Sequence, residues 1–227
     1  MFLKKINSPL SQALEDAGLT IPNELQKETF GTIKSGADCV IASPAKTGRT
    51  TAIVINVIQR LEKAFEESPR AFIMVQDKAR VLEILEMFKK LGTYTNLRVY
   101  GVYEQGDFDY DKNQISLGID VIVGTPGRLN EMFSSAGYDV NRLKMFIIDD
   151  ANEIFRLRHD TKVTRISNGI AKTQRLFFTD VITDRVEAMA DSIMTEPYFF
   201  EFDDYEDDQD FNDEENTDTS SEDEIKQ

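Results

Sequence analysis

Short apolar runs, each followed by an amphipathic stretch, constrain this chain more than any other feature. They fall at residues 39–42, 71–75, 97–103, 120–123, 145–149, 175–178 and 198–202. In Cys39-Val40-Ile41-Ala42 and Met145-Phe146-Ile147-Ile148 the apolar residues are continuous rather than alternating with polar ones. A strand with one wet face alternates, whereas a strand covered on both faces does not. Helical patterning falls between the runs, at 23–34, 50–67, 78–91, 127–134, 151–157, 162–170 and 183–195. The alternation predicts one doubly wound α/β domain over residues 1–202, with a mainly parallel sheet between two helical layers. Sites in such folds form in loops at the carboxyl ends of strands. Chemistry is therefore expected just after residues 42, 75, 123, 149 and 178.

The loop after Ala42 reads Ser43-Pro44-Ala45-Lys46-Thr47-Gly48-Arg49-Thr50. Its spacing is that of the phosphate-binding pattern G-x-x-x-x-G-K-[ST], with Ser first and Arg49 in the lysine place. Loop amides and a helix N-terminus can face an anion there. Thr50 offers a hydroxyl to Mg²⁺, and Arg49 keeps the positive charge with a broader head. By itself the octamer also fits a polar strand-to-helix turn. After Ile148 come Asp149-Asp150-Ala151-Asn152. A carboxylate leaving a buried strand beside a phosphate loop suits Mg²⁺ held through water; Asp150 equally suits an N-cap for the helix from Ala151. After Val123, Thr125-Pro126-Gly127-Arg128 turns into a helix with Pro near its start. A hydroxyl, turn amides and an arginine suit a phosphate backbone, and they also suit a plain connector.

Taken together, these segments resemble the first RecA-like domain of DEAD-box RNA helicases, over roughly residues 10–202. Pro22-Asn23-Glu24-Leu25-Gln26 resembles the family's Q motif, and SPAKTGRT its A-x-T-G-x-G-K-T. DDAN falls where D-E-A-D belongs, TPGR is identical to the family's RNA-backbone motif, and MTEPYFFEF resembles the end of the domain. The resemblance implies a P-loop fold binding ATP or ADP with Mg²⁺. Gln26 would read adenine, and Lys46, Thr47, Gly48, Arg49, Thr50 and Thr51 would line the phosphates. Thr50 and Asp149 would hold Mg²⁺ through water, and Asp149 and Asp150 would take the catalytic positions. Thr125, Pro126, Gly127 and Arg128 would meet RNA. So would Lys78 and Arg80, the cations in Gln76-Asp77-Lys78-Ala79-Arg80-Val81, which stands for P-T-R-E-L-A.

Departures from the family pattern set the expected activity. Arg49 replaces its lysine, and Asp150 its glutamate, one methylene shorter. Asn152 replaces the last Asp of D-E-A-D, and Thr179-Asp180-Val181 replaces S-A-T, so both partners of the family's coupling differ. Pro9 stands 17 residues before Gln26, where the family carries an aromatic; Phe2 is the substitute at hand. A second RecA-like domain, which supplies arginine fingers in the family, is not expected within these residues. The expected function is a domain that binds nucleotide, RNA or both, hydrolyses ATP weakly or not at all, and does not unwind alone. Two other readings stay open: an ATPase half-module completed by a partner's second domain, and a non-catalytic interaction scaffold.

Charge and composition limit the rest. From Glu201 to Gln227 there are 14 acids and one lysine, while the whole chain carries −15. The body is thus nearly neutral and compatible with RNA. The segment 203–227 is expected to be a disordered acidic tail that can dock a basic protein. One cysteine excludes an intramolecular disulfide, and one histidine excludes a multi-histidine metal centre. The N-terminus lacks a secretory apolar core, and no apolar run nears the roughly 20 residues of a membrane span. A cytoplasmic setting is expected, and the sequence leaves oligomeric state open.

Overall fold

A computed structural model describes residues 6–203 of the chain; Phe2 and the acidic segment 204–227 lie outside the described residues. Seven strands are present among them: β1 (Cys39–Ala42), β2 (Ala71–Met74), β3 (Val99–Val102), β4 (Val121–Gly124), β5 (Met145–Ile148), β6 (Gln174–Thr179) and β7 (Tyr198–Glu201). They form one sheet in the order β3-β4-β2-β5-β6-β1-β7. Every pairing is parallel; in β1 against β6, Cys39 faces Leu176 and Ala42 faces Thr179.

The helices are α1 (Ser8–Asp16), α2 (Glu24–Ser35), α3 (Arg49–Leu61), α4 (Lys78–Leu91), α5 (Phe108–Ser116), α6 (Pro126–Ser134), α7 (Ala151–Arg156), α8 (Asp160–Gly169) and α9 (Asp184–Ile193). The continuous apolar runs have the expected consequence. Alternate residues of each central strand enter opposite cores, because side chains switch faces at every residue. Cys39, Ile41, Ile73, Ile147 and Phe178 join the core beneath α1 to α4. Val40, Phe72, Met74, Phe146 and Phe177 join the core beneath α5 to α9. The α/β fold with a parallel sheet and two helical layers is as expected. Edge strand β7 is mostly exposed, with Tyr198 and Phe199 open to solvent. Burial pushes the Cys39 thiol up to about 12, so it behaves as a small core residue rather than a reactive one.

Three local expectations are corrected. Helix α3 ends at Leu61, six residues before the expected end at 67. Glu62 follows with φ 62°, and the buried Arg70 takes the helix's last carbonyl and one just beyond it. Its Nη1 donates to the Leu61 carbonyl at 3.2 Å and its Nη2 to that of Lys63 at 2.5 Å. Helices α1 and α5 occur where none is expected. Asn7 accepts from the Leu10 N–H and Asp107 from that of Tyr110, each a side-chain N-cap. Those caps were the available signals.

Candidate nucleotide and nucleic-acid site

The loop 43–48 leaves the buried end of β1 and feeds α3. Gly48 is the helix N-cap at φ 82°, and no side chain caps the helix. Its first amides therefore point outward without an internal acceptor, as an anion site requires. Lys46 is exposed and adopts φ 66°, a left-handed conformation that costs a side-chain-bearing residue about 1–2 kcal/mol. The Thr47 hydroxyl donates to the Pro44 carbonyl at 2.8 Å and lies 3.0 Å from Ser43 Oγ. Thr51 is half-buried in the first turn of α3.

The Q-motif-like segment docks on this loop. Asn23 and Gln26 form a capping box on α2: the Gln26 N–H donates to Asn23 Oδ1, and the Asn23 N–H to Gln26 Oε1. Asn23 Nδ2 in turn donates to the Thr47 carbonyl at 2.7 Å. A Cβ added at Gly48 would lie 2.6 Å from Asn23 Nδ2 and 3.2 Å from Gln26 Nε2. Gly48→Ala is therefore expected to cost about 1–2 kcal/mol through its left-handed φ alone, and more by displacing Asn23. Thermal denaturation of the variant measures this.

At the end of β5 two guanidinium–carboxylate pairs occupy the positions where sequence predicts metal and catalytic chemistry. Asp149 is fully buried. Its Oδ2 accepts from Arg80 Nε at 2.6 Å and lies 2.5 Å from Arg80 Nη2. Burial raises the Asp149 carboxyl above its ordinary value, and the adjacent Arg80 offsets this only in part. Arg80 Nη1 meets Glu83 Oε1 at 2.7 Å, and the same oxygen accepts from the Thr50 hydroxyl at 3.1 Å. The second pair joins Arg49 Nη2 to Asp150 Oδ1 at 2.9 Å. Arg49 Nη1 is buried without a hydrogen-bond partner. Asp150 stands at the N-cap position of α7 with φ 55°, but its side chain makes no capping bond. The cap reading from sequence is therefore corrected: Arg49 takes the carboxylate that would have capped.

These residues fit a divalent ion poorly. The Asp149 oxygen that would face it is taken by two N–H groups of Arg80, and Thr50 is turned to Glu83. Asp149 Oδ1 has no partner, but the residue presents no surface that a hydrated ion could approach. No group of three or more metal-ligating side chains occurs among the described residues. Sequence reasoning placed Arg80 on RNA and missed Glu83 altogether. The available signal was that Arg80 stands where the family pattern has Leu, three residues before an acid.

The remaining expected contacts lie elsewhere on the rim. Thr125 and Arg128 follow β4, four strand spacings or about 19 Å from the end of β1. Thr125 Oγ1 donates to Glu104 Oε2 at 2.6 Å. A Cβ on Gly127 would lie 2.3 Å from Glu104 Oε1, so this carboxylate rests against the turn. Pro126 is buried in the first turn of α6. Arg128 is buried and inward-facing, donating to the carbonyls of Tyr103, Glu104 and Gly106 and pairing with Glu131. It organises the loop beside the turn. Lys78 is exposed, its Nζ 4.7 Å from the Tyr103 ring centroid.

The coupling between α7 and the loop after β6 survives in altered form. The Asn152 N–H donates to Thr179 Oγ1 at 3.2 Å, and Thr183 Oγ1 donates to Asn152 Oδ1 at 3.1 Å. Both contacts are neutral hydrogen bonds. His159 lies off this network, beside Lys162, and burial holds its imidazole below its ordinary value. Among the described residues no helix is long and apolar enough to cross a membrane.

Comparison with known proteins agrees with this arrangement of loops. The chain is 26% identical over 197 residues to an ATP-dependent rRNA helicase, RRP3, of Encephalitozoon cuniculi, covering 85% of this chain and 48% of that protein. It is 26% identical over 152 residues to eukaryotic initiation factor 4A of Caenorhabditis elegans, covering 66% and 37% respectively. It is 23% identical over 196 residues to the ATP-dependent RNA helicase DeaD of Mycobacterium tuberculosis, covering 86% and 35%. The chain thus spans about half or less of these relatives' lengths. The family model described as DEAD/DEAH box helicase matches residues 23–189, from the capping box of α2 into α9. With that match over well more than half its length, the chain belongs to the DEAD/DEAH box helicase family.

Proposed function

We propose that this chain is a nucleotide-binding domain of the DEAD-box type that binds RNA and hydrolyses ATP weakly or not at all. One observation carries the reading: Arg49, in the place of the phosphate-loop lysine, is bound to Asp150, in the place of the acid that orients water. Each neutralises the other at 2.9 Å. In a working site the cation meets the transferring phosphate and the acid meets the nucleophile. Here a nucleotide has to compete with an existing ion pair, and Asp150 is one methylene short of its family counterpart.

Binding itself is supported by features outside that pair. The α3 N-terminus keeps uncapped amides, the loop keeps its left-handed Gly48, and Asn23 and Gln26 pack against the loop. RNA contact rests on the exposed Lys78; Thr125 is buried and its hydroxyl is held by Glu104. The acidic segment 203–227 belongs to the same reading as a dock for a basic partner, in a cytoplasmic setting.

Thermal denaturation with and without ligand tests the binding half. ATP and ADP at 100 times their dissociation constants each stabilise a single-site protein by about 2.7 kcal/mol. A clear rise in melting temperature with either nucleotide, and none with adenosine, is the expected result. No shift with either nucleotide contradicts the reading and favours an interaction scaffold.

A further inference from the structure

We propose that Arg80 stands in for the divalent ion against Asp149, so that this site takes the phosphates of ADP or ATP without Mg²⁺. The inference rests on the nucleotide-binding reading and deepens it. A metal ion at such a site neutralises the buried carboxylate and lends positive charge to phosphate oxygens. Arg80 already supplies the first effect. Two of its N–H groups converge on Asp149 Oδ2 at 2.6 and 2.5 Å, and Asp149 has no exposed surface. A guanidinium in that geometry and a hydrated dication cannot share the oxygen, because their like charges repel at contact distance.

The second protein contact expected of the metal is diverted as well. The Thr50 hydroxyl donates to Glu83 Oε1, and that oxygen also receives Arg80 Nη1. Thr50, Glu83, Arg80 and Asp149 thus form one continuous chain of partners. A donor for phosphate is present without an ion. The Arg49 side chain is 11% exposed, and its Nη1 is buried and unpartnered beside the uncapped start of α3. Guanidinium groups suit phosphate oxygens, since their planar fork presents several donors at once. The site therefore holds two arginines where a lysine and a metal ion stand elsewhere.

Calorimetric titration of ADP into the full chain, in EDTA and in Mg²⁺, tests this; Arg80→Leu is run in parallel. The natural chain is expected to change affinity by less than about threefold between the two buffers. Arg80→Leu, whose Asp149 is left without a cation, is expected to bind ADP at least about tenfold more tightly with Mg²⁺ than in EDTA. A Mg²⁺ dependence of about tenfold or more in the natural chain overturns the inference and leaves nucleotide binding standing. Failure of ADP to bind either protein in either buffer overturns the nucleotide reading itself, and the inference with it. Should Arg80→Leu not fold, the two titrations of the natural chain decide alone.

Discussion

A chain carrying Arg49→Lys, Arg80→Leu and Asp150→Glu together is expected to turn over ATP on the order of 100-fold faster than the natural one, in Mg²⁺ with single-stranded RNA. Each change undoes one feature of the site. Lysine at 49 exchanges a forked head for a compact charge and gives up the fit to Asp150. Leucine at 80 frees Asp149 Oδ2, which now accepts at 2.6 Å from Arg80. Glutamate at 150 restores the missing methylene, and misplacements of about 1 Å are enough for effects of this size. The three act as a unit, because either remaining pair still blocks the site. Each single change is therefore expected to alter turnover by less than about threefold, a strongly non-additive pattern. A single reversion that yielded the whole gain would show that only one pair matters.

Asp120→Ala is expected to lose about 3–5 kcal/mol of folding stability, the usual cost of removing one partner from a buried ion pair. Asp120 is fully buried just before β4. Its Oδ1 accepts from Arg70 Nη2 at 2.6 Å and from the Phe65 N–H at 3.1 Å. Its Oδ2 accepts from Arg98 Nε at 2.8 Å and from the Arg98 N–H at 3.0 Å. Without it Arg70, whose side chain is 4% exposed, keeps a buried charge with no acid. Arg70 also holds the last carbonyl of α3 and one just beyond it, so the damage spreads to the loop 62–70.

Burial pushes the Asp120 carboxyl up, but the two arginines and two backbone N–H groups outweigh it and hold the group below its ordinary 3.8. A folded value below the unfolded one means stability that is full above the unfolded value and lost as pH falls through the folded one. Urea denaturation at about pH 7 and about pH 3 checks both statements, since the gap between natural and Asp120→Ala chains is expected to narrow at the lower pH.

The sheet was legible because its signal is local. Continuous apolar runs require cover on both faces, and every central strand divides its residues between two cores. What escaped was set by distant or weak signals. The end of α3 depends on Arg70, nine residues past Leu61, whose own partner is Asp120. Helices α1 and α5 are nine residues each and rest on single caps, Asn7 and Asp107.

The candidate site divides in the same way. Residues flanking the strand ends, such as Arg49 and Asp149, could be named from spacing. Their pairing could not. Arg80 and Asp149 are 69 residues apart in sequence, and Arg49 and Asp150 are 101 apart. Arg128 reads as a surface cation in a polar turn, yet it is buried because loop carbonyls of Tyr103, Glu104 and Gly106 need a donor. Only the fold brings such groups together.

The central claim is that the arginine–carboxylate pairs hold the catalytic positions out of use. Steady-state ATP turnover by the natural chain, with Mg²⁺ and single-stranded RNA, tests it most directly when set beside the folded Asp149→Asn variant. Turnover at background is expected in the natural chain, with no further loss in the variant. Robust RNA-stimulated hydrolysis that disappears in Asp149→Asn would contradict it.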